Sequence, residues 1–443
     1  MLNFPLNFPL NFPLNSPLIA YYRAKQSILK VIGDIMPMPT PTLFSGPGSS
    51  FELCEAISQV GTQSILIVTD AMLVEIDLVG KITDKLNALG VRTVVYSGVL
   101  PDPTFNHVDE GIALAKKESC EAVLAVGGGS SIDAAKIISA GASIDKPVRR
   151  MVGLFKVRKP CLRLYAIPTT AGTGSEVSPG AVISDPVTHE KFLIVDPKIT
   201  PLMAAIDASL MLGLPPSITA ATGMDALTHA IESYISRNST LETRGYSLMA
   251  TRIISNNLIQ VTRNGQDLEA RHKMGMASFY GGLAIKGGLG YVHSISHAFS
   301  ALYRIPHGLG NAIVLPYVLE YSKESILDAL AELASAAGLD NENINKNNNE
   351  NSNAKNGNRE LADKLIAYIR ELNKALGIPA HLDNLNSIDI PKLAALTLKE
   401  AHGIYAVPKY MNQKDCEKVI GEMLAIRKTV SSTVATTAST EVM

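Results

Sequence analysis

Between residues 43 and 210 short, largely aliphatic and β-branched runs alternate with amphipathic stretches, and from about Pro215 onward only helical periodicity continues. No other feature restricts the fold as strongly. The runs at 64–70, 92–96, 122–126 and 162–167 lack the in-out alternation of a strand with one wet face, so they predict strands covered on both sides. Amphipathic segments at 79–89 and 108–117 separate them, which makes the repeating unit βαβ and the sheet parallel. Beyond 215, the spans 218–235, 243–261 and 327–337 predict helices, with few strand candidates between them.

The flanks read differently. Asn3-Phe4-Pro5-Leu6 occurs three times in succession and passes into Asn15-Ser16-Pro17-Leu18, and a proline every fourth residue predicts an extended or disordered tail. An amphipathic segment follows at 20–35, then a proline-rich lead into the first strand. Residues 341–358 are mostly asparagine, too polar to offset the entropy of ordering, and are expected to form a surface insertion between helices. The expected division is an extension over 1–42, an α/β domain over 43–211, a helical domain over 212–430 carrying the insertion, and a tail over 431–443.

With 443 residues, 46% of them hydrophobic, the chain has enough apolar material for a multidomain core. A formal charge of -1, with both signs interspersed, argues against nucleic acid or an anionic membrane as partner. Cys54, Cys120, Cys161 and Cys416 form no CxxC pair, which suits reduced thiols in the cytoplasm and disfavours a thiolate metal site. No run reaches the ~18 apolar residues of a spanning helix.

Small-molecule chemistry is therefore expected, and three segments offer it. Gly127-Gly128-Gly129-Ser130 lies where a buried strand gives way to a helix, and its glycines let backbone N–H groups approach a pyrophosphate, with Ser130 as a cap and Ser130-x-x-Asp133 as the plain structural alternative. Pro168-Thr169-Thr170-Ala171-Gly172-Thr173-Gly174-Ser175-Glu176 also follows a buried strand, where α/β sheets hold ligands. Asp70 ends an earlier strand, where it would either bond a ribose hydroxyl and favour NAD over NADP, or cap the next helix.

The third segment is a histidine cluster: His293, His297 and His307 fall within fifteen positions. His293 and His297 are i and i+4, as are Asp225 and His229 in Gly223-Met224-Asp225-Ala226-Leu227-Thr228-His229. On a helix that spacing puts both side chains on one face, a turn apart. Either pair alone would read as an ordinary buried hydrogen bond. Both pairs together with His307 point to a shared divalent ion of the zinc, iron or nickel class, and the donors alone do not choose among these.

Taken in order and at these separations, GGGSxxDxAK, PTTAGTGSE, GxDALTHAIE and GLGxVHxxxH…HGxxNAxxLP resemble the iron-containing (group III) alcohol dehydrogenases over residues 43–424. The resemblance implies an α/β fold of dehydroquinate synthase-like architecture, with an N-terminal Rossmann-like parallel-sheet dinucleotide domain followed by an all-helical metal-binding domain. It also implies Fe(II), with Zn(II) as the alternative, on Asp225, His229, His293 and His307, and His297 beside the nicotinamide as the catalytic residue. NAD contacts are implied from Asp70, Asp102, Gly128, Gly129, Ser130, Thr169, Thr170, Thr173, Val182 and Lys191. Taken without the resemblance, Lys191 is an ordinary solvated lysine. Asp102 stands where many members carry asparagine, and Ala406-Val407-Pro408-Lys409 replaces a frequent Asn-Pro-Arg turn. The implied reaction is reversible hydride transfer between a small primary alcohol or diol and NAD, in a homodimer or larger oligomer. A zinc polyol dehydrogenase of the glycerol dehydrogenase type, a lyase of the dehydroquinate synthase type and a non-catalytic binding module are the competing readings. The lyase is disfavoured because residues 285–316 hold only Lys286 and Arg304 for a phosphorylated substrate. Phe279, Leu283, Phe299 and Tyr303 are expected to pack in the core.

Overall fold

Strand formation follows the apolar runs. A computed structural model describes residues 16–35, 39–144, 146–188, 190–340 and 351–425. Among these, nine strands lie in the first half: β1 (Thr42–Ser45), β2 (Ser64–Val68), β3 (Arg92–Tyr96), β4 (Ala122–Gly127), β5 (Gly153–Leu154), β6 (Arg163–Pro168), β7 (Gly180–Ser184), β8 (Lys191–Val195) and β9 (Met203–Ile206). Helices α1 (Ser16–Ile35), α2 (Ser49–Gln59), α3 (Ala71–Glu75), α4 (Leu78–Ala88), α5 (Phe105–Lys117) and α6 (Gly129–Ala142) accompany them. The second half is helical: α7 (Pro216–Ile235), α8 (Leu241–Arg263), α9 (Leu268–Ala284), α10 (Tyr291–Tyr303), α11 (His307–Ser322), α12 (Leu327–Ala336), α13 (Asn351–Ala375), α14 (Ile390–Ile404) and α15 (Gln413–Gly421).

Six strands form a parallel sheet in the order β1-β9-β6-β4-β2-β3, and β5-β8-β7 make a small second sheet. Covering on both faces is visible residue by residue. Leu66, Val68, Val123 and Ala125 enter one apolar cluster, while Ile65, Ile67, Leu124 and Val126 enter another. The chain leaves β2 for β3 on one side and returns to β4 on the other, so the order reverses between β2 and β4. Open sheets bind ligands beyond the strand C-termini at such a point.

The expected helix at 108–117 begins at Phe105 instead. The Thr104 backbone N–H donates to His107 Nδ1 at 3.2 Å, and Phe105 is buried against the Phe192 ring at 5.6 Å, so the first turn is closed by contacts outside the periodic pattern. Residues 1–15 of the repeat lie outside the described chain, but Ser16 to Leu18 are helical and not extended. Pro17 sits in the first turn, where a missing N–H costs no helical bond. The asparagine-rich stretch also differs from expectation. Residues 341–350 lie outside the description, while 351–358 open α13. Asn358 donates to Asp328 on α12 at 2.8 Å, Arg359 pairs with Glu324, and Leu361, Ala362 and Leu365 are buried. Tertiary packing supplies what local composition lacks.

The two halves meet closely at glycines. Gly174 has φ +59°, and a Cβ there would lie 2.4 Å from Gly282 Cα on α9. The threonine loop can therefore rest directly on the helical half.

Candidate metal and nucleotide site

Three loops at the sheet's C-terminal edge stand side by side because β2, β4 and β6 are neighbours. Asp70 follows β2, Gly128 to Ser130 follow β4, and Thr169 to Thr173 follow β6. The Thr169 backbone N–H donates to Gly127 O at 3.0 Å, and a Cβ on Gly129 would fall 2.6 Å from Thr173 Cγ2, so the glycine and threonine loops are packed together. The first turn of α6 presents free N–H groups there, a good place for phosphate, before Ile132 N–H bonds to Gly128 O at 3.1 Å. Two details differ from expectation. Gly128, not Ser130, is the N-cap, and Asp133 does not cap the helix: it accepts from Ser175 Oγ and from the Val182 N–H at 2.8 Å. Asp70 does cap α3, accepting from the Leu73 N–H at 3.0 Å.

Lys191 is not a solvated lysine. Its side chain is 10% exposed and Nζ lies 2.7 Å from Asp102 Oδ1. Asp102 has φ +56°, and its other carboxylate oxygen accepts from Ser300 Oγ on α10 at 3.4 Å. The pair thus bridges the nucleotide half to the helix that carries two of the histidines.

Asp225, His229 and Glu232 occupy successive turns of one face of α7 and are all buried. His293 and His297 lie on α10, and His307 starts α11. Gly308 lets α11 approach, since a Cβ there would sit 2.4 Å from Ala221 O of α7. One donor atom each from Asp225, His229, His293 and His307 falls within 4.8 Å of the others. Asp225 Oδ1 is 4.0 Å from His229 Nε2 and 3.5 Å from His307 Nε2. His297 is outside this group. Its ring stacks on His307 with centroids 5.1 Å apart, and its Nδ1 donates to Glu400 at 2.8 Å.

Burial decides the protonation of the shell. It pushes His229 down to about 4 against the pull of Asp225, and it holds His307 well below the ordinary imidazole value, helped by His297 and His293. Neutral imidazole is the form that ligates a metal. His293 is buried as well, but its hydrogen bond to Glu232 at 2.6 Å and that carboxylate's charge hold its value up. Glu232 also accepts from the Val292 N–H at 2.7 Å, so one carboxylate fixes both the ring and the start of α10. One carboxylate oxygen with three imidazoles and no thiolate suits a divalent iron or zinc ion.

Three polar residues of the site were not singled out from sequence. Glu232 stands at the end of the quoted GxDALTHAIE motif, three residues after His229 and so on its face, which was a usable signal. Asn311, within HGxxNA, donates Nδ2 to Asp225 Oδ1 at 2.7 Å and lies 3.2 Å from Nε2 of both His293 and His307. Glu400 is remote in sequence and carried no signal. Phe279, Leu283 and Phe299 are core residues as expected, and Tyr303 donates to Asp389 at 2.6 Å.

A parallel-sheet half joined to a helical half, with a carboxylate and three histidines converging at one point, suits a metal-dependent, dinucleotide-linked enzyme. Residues 39–208 match the family described as iron-containing alcohol dehydrogenase, and residues 219–424 match the C-terminal region of the same family. The chain is 36% identical over 366 residues to lactaldehyde reductase of Escherichia coli K12, covering 81% of this chain and 92% of that protein. It is 35% identical over 341 residues to the NAD-dependent methanol dehydrogenase of Bacillus methanolicus, covering 77% and 86%. A solved 1,3-propanediol oxidoreductase superposes with a TM-score of 0.82 at 32% identity, covering 88% of this chain and all of that one. The chain belongs to the iron-containing alcohol dehydrogenase family, and it is a metal-dependent oxidoreductase acting on alcohols, with iron and NAD as the cofactors of that family.

Proposed function

We propose that this protein interconverts small primary alcohols or diols and their aldehydes with NAD, using Asp225, His229, His293 and His307 to hold Fe(II). The observation that carries this reading is the convergence of those four donors within 4.8 Å at the edge of the nucleotide loops. When bound, the ion supplies a Lewis acid for the alcohol oxygen and the nicotinamide supplies an acceptor for hydride.

The chain's own groups do the rest. Gly128, Gly129 and Ser130 offer backbone N–H groups to the pyrophosphate. Thr169, Thr170 and Thr173 on the adjoining loop, with Val182, whose N–H donates to Asp133 of α6 at 2.8 Å, flank the nucleotide, and Asp70 selects against a 2'-phosphate. Lys191 and Asp102 close the nucleotide side opposite α10. His297, beside the reacting carbon, relays the alcohol proton to solvent, oriented by Glu400 through Nδ1. The proposed division places the nucleotide domain at 43–211 and the metal domain at 212–430, in a cytoplasmic homodimer or larger assembly.

The test is a panel of short primary alcohols and diols with NAD or NADP, run on metal-free enzyme reloaded with Fe(II) or Zn(II). NADH formation from primary alcohols, dependent on added metal and absent with Asp225→Ala or His307→Ala, is expected. Full turnover in chelator with no metal bound would sink the proposal.

A further inference from the structure

Helix α1 precedes the part of the chain that matches the family, which starts at residue 39. It does not stand free. Gln26, 3% exposed, donates Nε2 to the backbone carbonyl of Tyr405 at 2.6 Å and accepts from the Tyr410 hydroxyl at 3.0 Å. A carbonyl only accepts, so the amide nitrogen has to face Tyr405 and the orientation of Gln26 is fixed. Lys25 Nζ donates to Gly403 O at 2.9 Å, and Tyr22 packs its ring on His402 and Tyr410 with centroids 5.0 and 6.1 Å apart. All five contacts fall on residues 402–410, the end of α14 and the segment that follows it. The side chain of Tyr405 leaves that segment in the other direction: its hydroxyl donates to Glu400 Oε1 at 2.7 Å, the same oxygen that accepts His297 Nδ1 at 2.8 Å.

We infer that Gln26 is a positioning residue: through Tyr405 and Glu400 it fixes the ring of His297, so the N-terminal helix forms part of the support of the active site. The contacts of α1 fall on His402, Gly403, Tyr405 and Tyr410, on either side of Ala406-Val407-Pro408-Lys409. A partly supported Tyr405 would let Glu400 swing, and a His297 ring that rotates loses its alignment without any change at the metal ligands. The inference rests on His297 handling the proton.

A double-mutant cycle tests it on the full-length, metal-loaded enzyme. Gln26→Met keeps the side-chain length and removes the donor. It is expected to lower kcat about three- to tenfold, in the lower part of the range for residues sharing one hydrogen-bond network, with the KM for NAD and the metal stoichiometry unchanged. Amide exchange across residues 400–411 should quicken in the same variant. Tyr405→Phe should lower kcat similarly, and the double variant should be no slower than Tyr405→Phe alone. Should Gln26→Met not fold, Tyr410→Phe loosens the same amide by one hydroxyl and is expected to show a smaller fall that again vanishes beside Tyr405→Phe. Effects that multiply, or unchanged kcat and exchange in the Gln26 and Tyr410 variants, would overturn the relay. An unchanged kcat in His297→Ala would instead overturn the role of His297 on which it rests.

Discussion

Burial makes the four-donor centre work as a ligand set, because desolvation keeps His229 and His307 neutral while a buried carboxylate steadies His293. The partner of an imidazole fixes which nitrogen faces the ion and how basic it is. Glu232→Gln, which keeps the shape but not the charge, is therefore expected to weaken Fe(II) or Zn(II) binding about 10- to 100-fold, read by chelator competition. Wild-type affinity in that variant would mean Glu232 serves only to start α10. His297→Ala should behave oppositely, with metal still stoichiometric and kcat reduced about 100-fold or more. Loss of metal in that variant would place His297 among the ligands.

Beneath the threonine loop, α6 and the turn before β7 share a buried polar network. Lys136 is fully buried, and its three N–H donors are shared among Ser175 Oγ, Ser178 O, Ser178 Oγ and Gly180 O, which surround Nζ at 2.6 to 3.0 Å. Glu176, 1% exposed, keeps one carboxylate oxygen without a partner, and burial pushes it up to about 7. A carboxyl whose folded value is raised stays protonated after the unfolded chain has lost its proton, so its stabilising contribution is complete below about 4.5 and is lost as pH rises through about 7. Lys136, lowered to about 8 by burial, titrates above that window. Thermal stability should fall across this interval by on the order of 1 kcal/mol or more, and Glu176→Gln should flatten the fall. An unaltered pH–Tm curve would show that Glu176 is ionised throughout.

For the whole molecule, the ligands come from α7, α10 and α11, so an ion there ties three helices together. A ligand present at a hundred times its Kd stabilises the folded state by about 2.7 kcal/mol. Chelation is thus expected to lower Tm, and stoichiometric Fe(II) or Zn(II) to restore it, measured by calorimetry on dialysed protein. A Tm indifferent to metal would mean that the three helices hold the site without help.

The periodicity of the chain by itself determined the parallel sheet, the change to helices after Pro215 and the two i, i+4 pairs, Asp225 with His229 and His293 with His297, because a buried strand and a helical face each leave a local pattern. It could not show that Lys191 pairs with Asp102, that Asp133 serves β7 instead of capping α6, or that Asn351 to Asn358 begin a helix. Those depend on which residues meet from distant parts of the chain, as Asp102 does with Lys191 and Asn358 with Asp328. The same holds for Glu400 beside His297 and Gln26 beneath Tyr405, 103 and 379 positions apart in sequence. Side-chain chemistry is written locally, whereas burial and hydrogen-bond partnership are set only when the folded backbone brings the groups together.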